Sequence, residues 1–277
     1  MVVLYSHKNH HTQIMKKTLI VANWKMNLNT HQASTLLHRY NETIAAHRDI
    51  EVVVAPSMLS LQPLSVEINR HKFRLASQDG YFKDEGAFTG EVSFAMMHGL
   101  IHYGIVGHSA RRVYFGESLE TVRDKLTAAV RNGISPILCI GETKQERDAG
   151  ETKQVIHDQL TTALSNITSE DIEDVVIAYE PVWAISTFQG EIAKPDDMQK
   201  AINYIRFQIK ELYGARAAES VRVLYGGSVN DQDVHAYLSL EGCDGVLVGA
   251  ASLNYAKFAA IVDSAYRLQL SRKDDRP

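Results

Sequence analysis

Four polar residues stand where short apolar runs stop: Asn23 and Lys25 in NWKMN, His108 in GHS, and Glu180 in AYEPVWA. A carboxylate, an imidazole, an ammonium and an amide drawn to one place suit proton transfer beside a carbonyl. The carboxylate would abstract the proton, and the other three would stabilise the developing enediolate. Two further runs end in small residues, YGGSV (225–229) and VGAAS (248–252). Exposed backbone N–H groups at such turns, leading into a helix, make an anion site. Each feature alone has a plainer reading. A histidine after a strand is more often a packing or hydrogen-bonding residue, Glu180 before a proline could cap a strand, and YGGSV could be an ordinary turn. Only a fold that gathers them at one end gives them joint meaning.

The apolar runs cover residues 19–22, 52–55, 73–76, 104–107, 136–140, 175–178, 221–224 and 245–248. Most lack alternation, as strands do when both faces of a parallel sheet are covered. Between them, Leu119, Val122, Leu126 and Ala129 recur at helical spacing. Pro195 followed by Asp196 and Asp197 reads as a helix start, with Arg206, Lys210 and Gly214 suiting its far end. Eight strands alternating with eight helices in about 250 residues predict one closed α/β barrel of the (β/α)8 type. It would span residues 15–277 after a flexible extension of residues 1–14. A doubly wound open sheet is the alternative, but its first turn would be rich in glycine, and NWKMN is not. In the barrel the residues after each strand meet at a single mouth. Gln78 and Asp79 after strand three, and Ser109 beside His108, belong there too.

Composition narrows the partners. A net charge of −4 with acids and bases interspersed argues against a nucleic-acid surface or a polybasic membrane patch. No apolar run approaches the roughly 18 residues of a membrane span, and the start of the chain lacks the apolar core of a secretory signal. Cys139 and Cys243 lie inside apolar runs, which fits a reducing compartment better than a disulfide framework. A cytoplasmic protein is expected. His7, His10 and His11 fall in the polar extension, and Met15 would itself make a sensible beginning. No Cys/His cluster with ligand spacing stands at the strand ends, so neither metal nor organic cofactor is expected.

Seven strings carry a resemblance: NWKMN (23–27), GAFTGE (86–91), GHSxRRxxFGE (107–117), CIGE (139–142), AYEPVWAI (178–185), YGGSV (225–229) and GVLVGxAS (245–252). In order, and from residue 18 to about 258, they resemble the triosephosphate isomerase family. The resemblance implies interconversion of dihydroxyacetone phosphate and glyceraldehyde 3-phosphate through an enediolate, without a cofactor. It makes Glu180 the proton shuttle and His108 the neutral electrophile, an acid–base pair that is the family's own. Lys25 and Asn23 would assist at the oxyanion and phosphate side. Ser228 and the backbone amides of Ser186, Gly249 and Ala250 would hold the phosphate. Residues 185–195 would form a lid that excludes water. Thr89 would reach into a second subunit, so the implied partners are a small phosphorylated sugar and a second copy of the chain.

The pattern also breaks. Ala110 stands where the family has glutamate, Asp79 where it has asparagine, Ser186 and Phe188 where the lid has glycines, and Ala250 where the last turn has its second glycine. The lid string is about two residues longer than usual. Two expectations follow. Asp79 would restore at strand three the acid lost at strand four, keeping the charge at the mouth. Loss of the glutamate side chain and a remodelled lid would make room for a fourth carbon, as in the erythrulose-phosphate isomerases that resemble this family. A catalytically silent phosphosugar-binding barrel is a further alternative, opposed by the presence of Glu180, His108, Lys25 and Asn23.

Overall fold

The computed structural model describes residues 16–185 and 192–274. Strands β1 (Thr18–Asn23), β2 (Ile50–Ala55), β3 (Phe73–Ser77), β4 (Tyr103–Val106), β5 (Ser135–Ile140), β6 (Val176–Tyr179), β7 (Arg222–Tyr225) and β8 (Gly245–Val248) close into a parallel barrel in chain order. Each lies within two residues of its expected run. The ring shuts where Leu19 of β1 pairs with Gly245 of β8, and the register runs on to Ala22 opposite Val248.

The missing alternation has a direct cause. Successive side chains of a strand point to opposite faces, and here both faces are dry. Leu19, Val21, Val53, Ala55, Ile105 and Ile137 fill the barrel interior. Ile20, Ala22, Val52 and Val54 pack outward among the helices. Burying each such branched side chain contributes about 1.5–3 kcal/mol. At the amino-terminal end, Arg222 donates to Glu51 at 2.9 Å and to the Tyr103 hydroxyl at 2.8 Å, closing the floor. Burial there pushes the Tyr103 phenol up to about 12.

The helix Leu119–Arg131 buries Val122, Leu126 and Ala129 as its spacing requires, and Ser118 caps it by accepting from the Thr121 N–H. Lys125 is buried on the same helix, which no apolar pattern foretells. The helix Pro195–Tyr213 starts at its proline with Asp196 and Asp197 in the first turn and stops at Gly214, as read. A short helix, Ala215–Ser220, follows at once. Only Ala217 of its six residues is buried, so it carries no periodic signal. Among the described residues no helix is long and apolar enough to cross a membrane.

Barrel closure depends on an absent side chain. A β-carbon at Gly245 would lie 1.9 Å from the Leu19 carbonyl oxygen, inside the backbone of the partner strand, where nothing flexible can yield. Gly245→Ala is expected to destabilise the protein by at least about 3 kcal/mol, read as a fall in the urea midpoint. A midpoint within experimental error of wild type would refute this account of the β1–β8 seam.

Candidate active site

The carboxyl-terminal strand ends enclose a cavity of about 350 Å3. Asn23, Lys25, His108, Glu180, Ser228, Gly249 and Ala250 all line it, so residues drawn from five strand ends meet in one space. Ser186 lies outside the described residues, as does Phe188. Thr89 is exposed on the loop after β3 and is not part of this cavity.

Glu180 is only 1% exposed. One carboxylate oxygen accepts from the Ser109 backbone N–H at 3.1 Å, and the other lies 3.2 Å from His108 Nε2. His108 caps the helix Ser109–Phe115, and its Nδ1 accepts from the Ala110 N–H at 3.1 Å. An acceptor nitrogen carries no proton, so in the neutral ring the hydrogen sits on Nε2, facing Glu180 and the cavity. Burial holds the imidazole below its ordinary pKa. Glu180 pulls the other way, and Lys25, Arg112 and Arg111 add to the lowering.

The NWKMN string resolves residue by residue. Trp24 is fully buried and its indole donates to the Tyr40 hydroxyl at 3.3 Å. Tyr40 in turn donates to the Ser252 carbonyl, tying this string to the last turn. Lys25 has a φ of +51°, uncommon for a residue with a side chain. Its N–H donates to Asn23 Oδ1 at 3.0 Å and its carbonyl accepts from Gln78 Nε2 at 2.8 Å. Asn23 and Gln78 thereby clamp a backbone strained by about 1–3 kcal/mol that turns Lys25 onto the cavity wall.

The glycines of YGGSV serve clearance. A β-carbon at Gly226 would fall 2.6 Å from Glu180 Cγ, and one at Gly227 would fall 2.2 Å from the Tyr225 hydroxyl. The Ser228 N–H is engaged by the Ala184 carbonyl at 3.1 Å. Across the cavity, Gly249 leads into a short 3₁₀ turn, Ala250–Leu253. Ala250 has no positive φ, so its methyl group costs the turn nothing and its N–H is kept.

Sequence reasoning gave CIGE no individual role, yet Glu142 is fully buried. It accepts from the Tyr179 hydroxyl at 3.0 Å and from the Trp183 indole at 2.9 Å. The Arg147 guanidinium stacks 3.9 Å over Trp183 and pairs with Asp197 at 3.1 Å. Both flanks of residues 186–191 are fastened in this way. Asn254 and Lys257, beyond the last turn, also line the cavity. They were missed because they lie past the strand ends that were read.

A (β/α)8 barrel that gathers a carboxylate, an imidazole held toward its neutral form and an ammonium opposite a small-residue turn defines an enzyme for acid–base chemistry on a small anionic substrate. Comparison with known proteins agrees. The family model described as triosephosphate isomerase matches residues 18–265. A triosephosphate isomerase of Citrifermentans bemidjiense is 43% identical over 90% of this chain and 98% of its own length. Those of Carboxydothermus hydrogenoformans and Clostridium botulinum are 40% and 38% identical, each over 90% of this chain and 98% and 100% of their own lengths. The chain belongs to the triosephosphate isomerase family.

Two expectations about the departures need correction. Asp79 does not restore an acid at the mouth: it is absent from the cavity wall. Its carboxylate takes Lys125 at 2.7 and 2.8 Å and Arg111 at 2.9 Å, and both cations also pair with Glu117. The acid answers the buried lysine of the next helix. Ala110 is not on the cavity wall either, so its small side chain opens no space there.

The Asp79 carboxyl is held above its ordinary pKa because burial outweighs Lys125 and Arg111. A carboxyl raised in the folded state adds stability fully below its unfolded pKa and loses it as pH rises through the folded value. At neutral pH Asp79→Asn leaves buried Lys125 with Glu117 as its remaining carboxylate partner and should cost up to about 3–5 kcal/mol, with wild type gaining further on the variant as pH falls through the carboxylate range. Urea midpoints of both proteins, at one protein concentration across that range, check the sign. Wild type losing ground on acidification would overturn it.

Proposed function

We propose that this chain interconverts dihydroxyacetone phosphate and glyceraldehyde 3-phosphate by a single-base proton shuttle. The observation that carries the reading is the shared cavity: the Glu180 carboxylate, the His108 Nε2–H and the Gly249–Ala251 turn all border it. Substrate would seat its phosphate on that turn and near Ser228. Its two oxygens would then face His108 and Lys25. Glu180 would leave the Ser109 amide and take the proton from one carbon. A carbon–carbon double bond forms, and the former carbonyl oxygen becomes an oxyanion held by His108 and Lys25. His108 relays a proton between the two oxygens, and Glu180 returns its proton to the neighbouring carbon. No atom is gained or lost.

Cys139 is no rival nucleophile. Burial, followed by the nearby Glu180 charge, raises its thiol well above the ordinary range, which keeps it protonated. A four-carbon substrate is less well supported, since Ala110 lies off the cavity wall. A silent barrel is disfavoured by the four chemical groups meeting in one cavity. A reducing cytoplasm suits both cysteines, which are buried.

Homodimer formation is part of the proposal. Met26 is 95%, Phe115 69% and Tyr114 60% exposed, and Phe88 beside Thr89 is also uncovered. These residues follow β1, β3 and β4, so one sector of the barrel presents uncovered apolar surface of the kind a partner copy buries.

Purified enzyme assayed on three- and four-carbon ketose phosphates should prefer the triose phosphates, and Glu180→Asp should lose about 10²–10⁴ in kcat. Preferred turnover of a four-carbon substrate would overturn the substrate assignment, and an undiminished Glu180→Asp the assignment of the base. Wild type should sediment as a dimer and Thr89→Arg as a monomer. A monomeric wild type would remove the assembly from the reading.

A further inference from the structure

Lys257 lines the reaction cavity, yet the proton shuttle leaves it without a task. It stands in the first turn of the helix Tyr255–Asp274. Asn254, on the same cavity wall, fixes that turn: its Oδ1 accepts from the Ala256 and Lys257 N–H groups at 3.0 Å each. The Phe258 N–H closes the turn on the Asn254 carbonyl at 2.9 Å, and the Phe258 side chain is fully buried. The Lys257 backbone is therefore anchored at the rim while its side chain stays exposed. Among the described residues its ammonium has no ion pair or hydrogen-bond partner.

Charge shows what it could serve. The formally charged residues lining the cavity are Lys25, Lys257 and Glu180, with His108 held toward its neutral form. Lys25 and Glu180 cancel, which leaves a phosphate dianion facing a cavity neutral but for Lys257. Lys25 would serve the oxyanion and the phosphate side together, its ammonium 3.8 Å from the place of a Gly249 β-carbon. Lys257 adds the second positive charge on the side of the turn that would hold the phosphate.

We propose that Lys257 is a specificity-determining residue, a rim ammonium that recognises the phosphate dianion of the substrate. The proposal rests on the isomerase reading only in taking the substrate to be a phosphate ester. Since the phosphate takes no part in the proton transfer, a contact from Lys257 to it would favour ground state and transition state alike, so its loss appears in KM and not in kcat. A rim charge also steers association and steepens its salt dependence.

Lys257→Gln, Lys257→Glu, Lys257→Arg and a remote control of equal charge change, Lys210→Gln, test it. Lys257→Gln should raise KM for both triose phosphates about two- to fivefold, the scale of one exposed ion pair, with kcat within about twofold. Orthophosphate binding by calorimetry should weaken by the same factor. Lys257→Glu should roughly double both losses on a logarithmic scale, Lys257→Arg should restore binding, and Lys210→Gln should match wild type. Unchanged KM and orthophosphate affinity in Lys257→Gln, or losses equal to those of Lys210→Gln, would overturn the proposal. A wild type that turned over no triose phosphate, while Lys257→Gln still bound orthophosphate more weakly, would refute the isomerase reading and leave the rim assignment standing.

Discussion

Glu180 and His108 are 3.2 Å apart in a nearly dry site and can share a proton in more than one way. If the imidazole took a second proton, the carboxylate would be locked in an ion pair and weakened as a base, and the ring would give a poorer match to the weakly acidic enediol. The structure disfavours that arrangement from several sides. The Ala110 N–H occupies Nδ1 as a donor, so no proton fits there. Burial removes the water that would solvate an imidazolium, and Lys25, Arg112 and Arg111 oppose a further positive charge. Buried Glu180 is kept by the Ser109 amide and the imidazole Nε2–H. A carboxylate so placed would otherwise cost several kcal/mol.

Around that pair, the surrounding residues act on backbone. Asn23 and Gln78 hold the strained Lys25 backbone from its N–H and its carbonyl. Gln78 also donates to the Ala55 carbonyl at 3.0 Å, so β1, β2 and β3 are stitched together at the mouth. Glu142 draws Tyr179 and Trp183 inward, which fixes the chain on either side of Glu180. Gly141 makes this possible, since a β-carbon there would lie 2.0 Å from the Glu180 carbonyl oxygen. The precision of the site thus comes from main-chain placement enforced by buried polar side chains.

The barrel could be read in the sequence because its strands are buried on both faces, and uninterrupted apolar runs survive without knowledge of tertiary contacts. The polar residues at their ends could be read for the same reason: each marks where burial stops. Asp79 was misread because its type suggested the mouth, whereas its direction is set by Lys125, forty-six positions away. In the sequence the glycines of YGGSV suggest only an anion-binding loop, and their clearance role requires knowing that Glu180 and Tyr225 pack against them. Lys257 escaped notice because an exposed lysine in the first turn of a helix looks like any solvated residue until the fold turns it to the cavity.

Placement also explains which positions tolerate change. Ala110 supplies His108 with a backbone N–H that any residue but proline would supply, so its side chain is free to shrink. Ala250 supplies a turn N–H at an ordinary φ, so a glycine there is dispensable. Asp79 faces a charge cluster behind the helix Ser109–Phe115, whose balance can be struck by different residues on β3 and its neighbours. By contrast, Glu180, His108 and Lys25 would act in the proposed shuttle through side-chain atoms whose chemistry no backbone group can replace, and Asn23 holds the Lys25 N–H with its own side chain. Sequence can therefore drift wherever the main chain does the work, and on the reading proposed above the contacts with the phosphate end would be retuned from the rim without disturbing the proton shuttle.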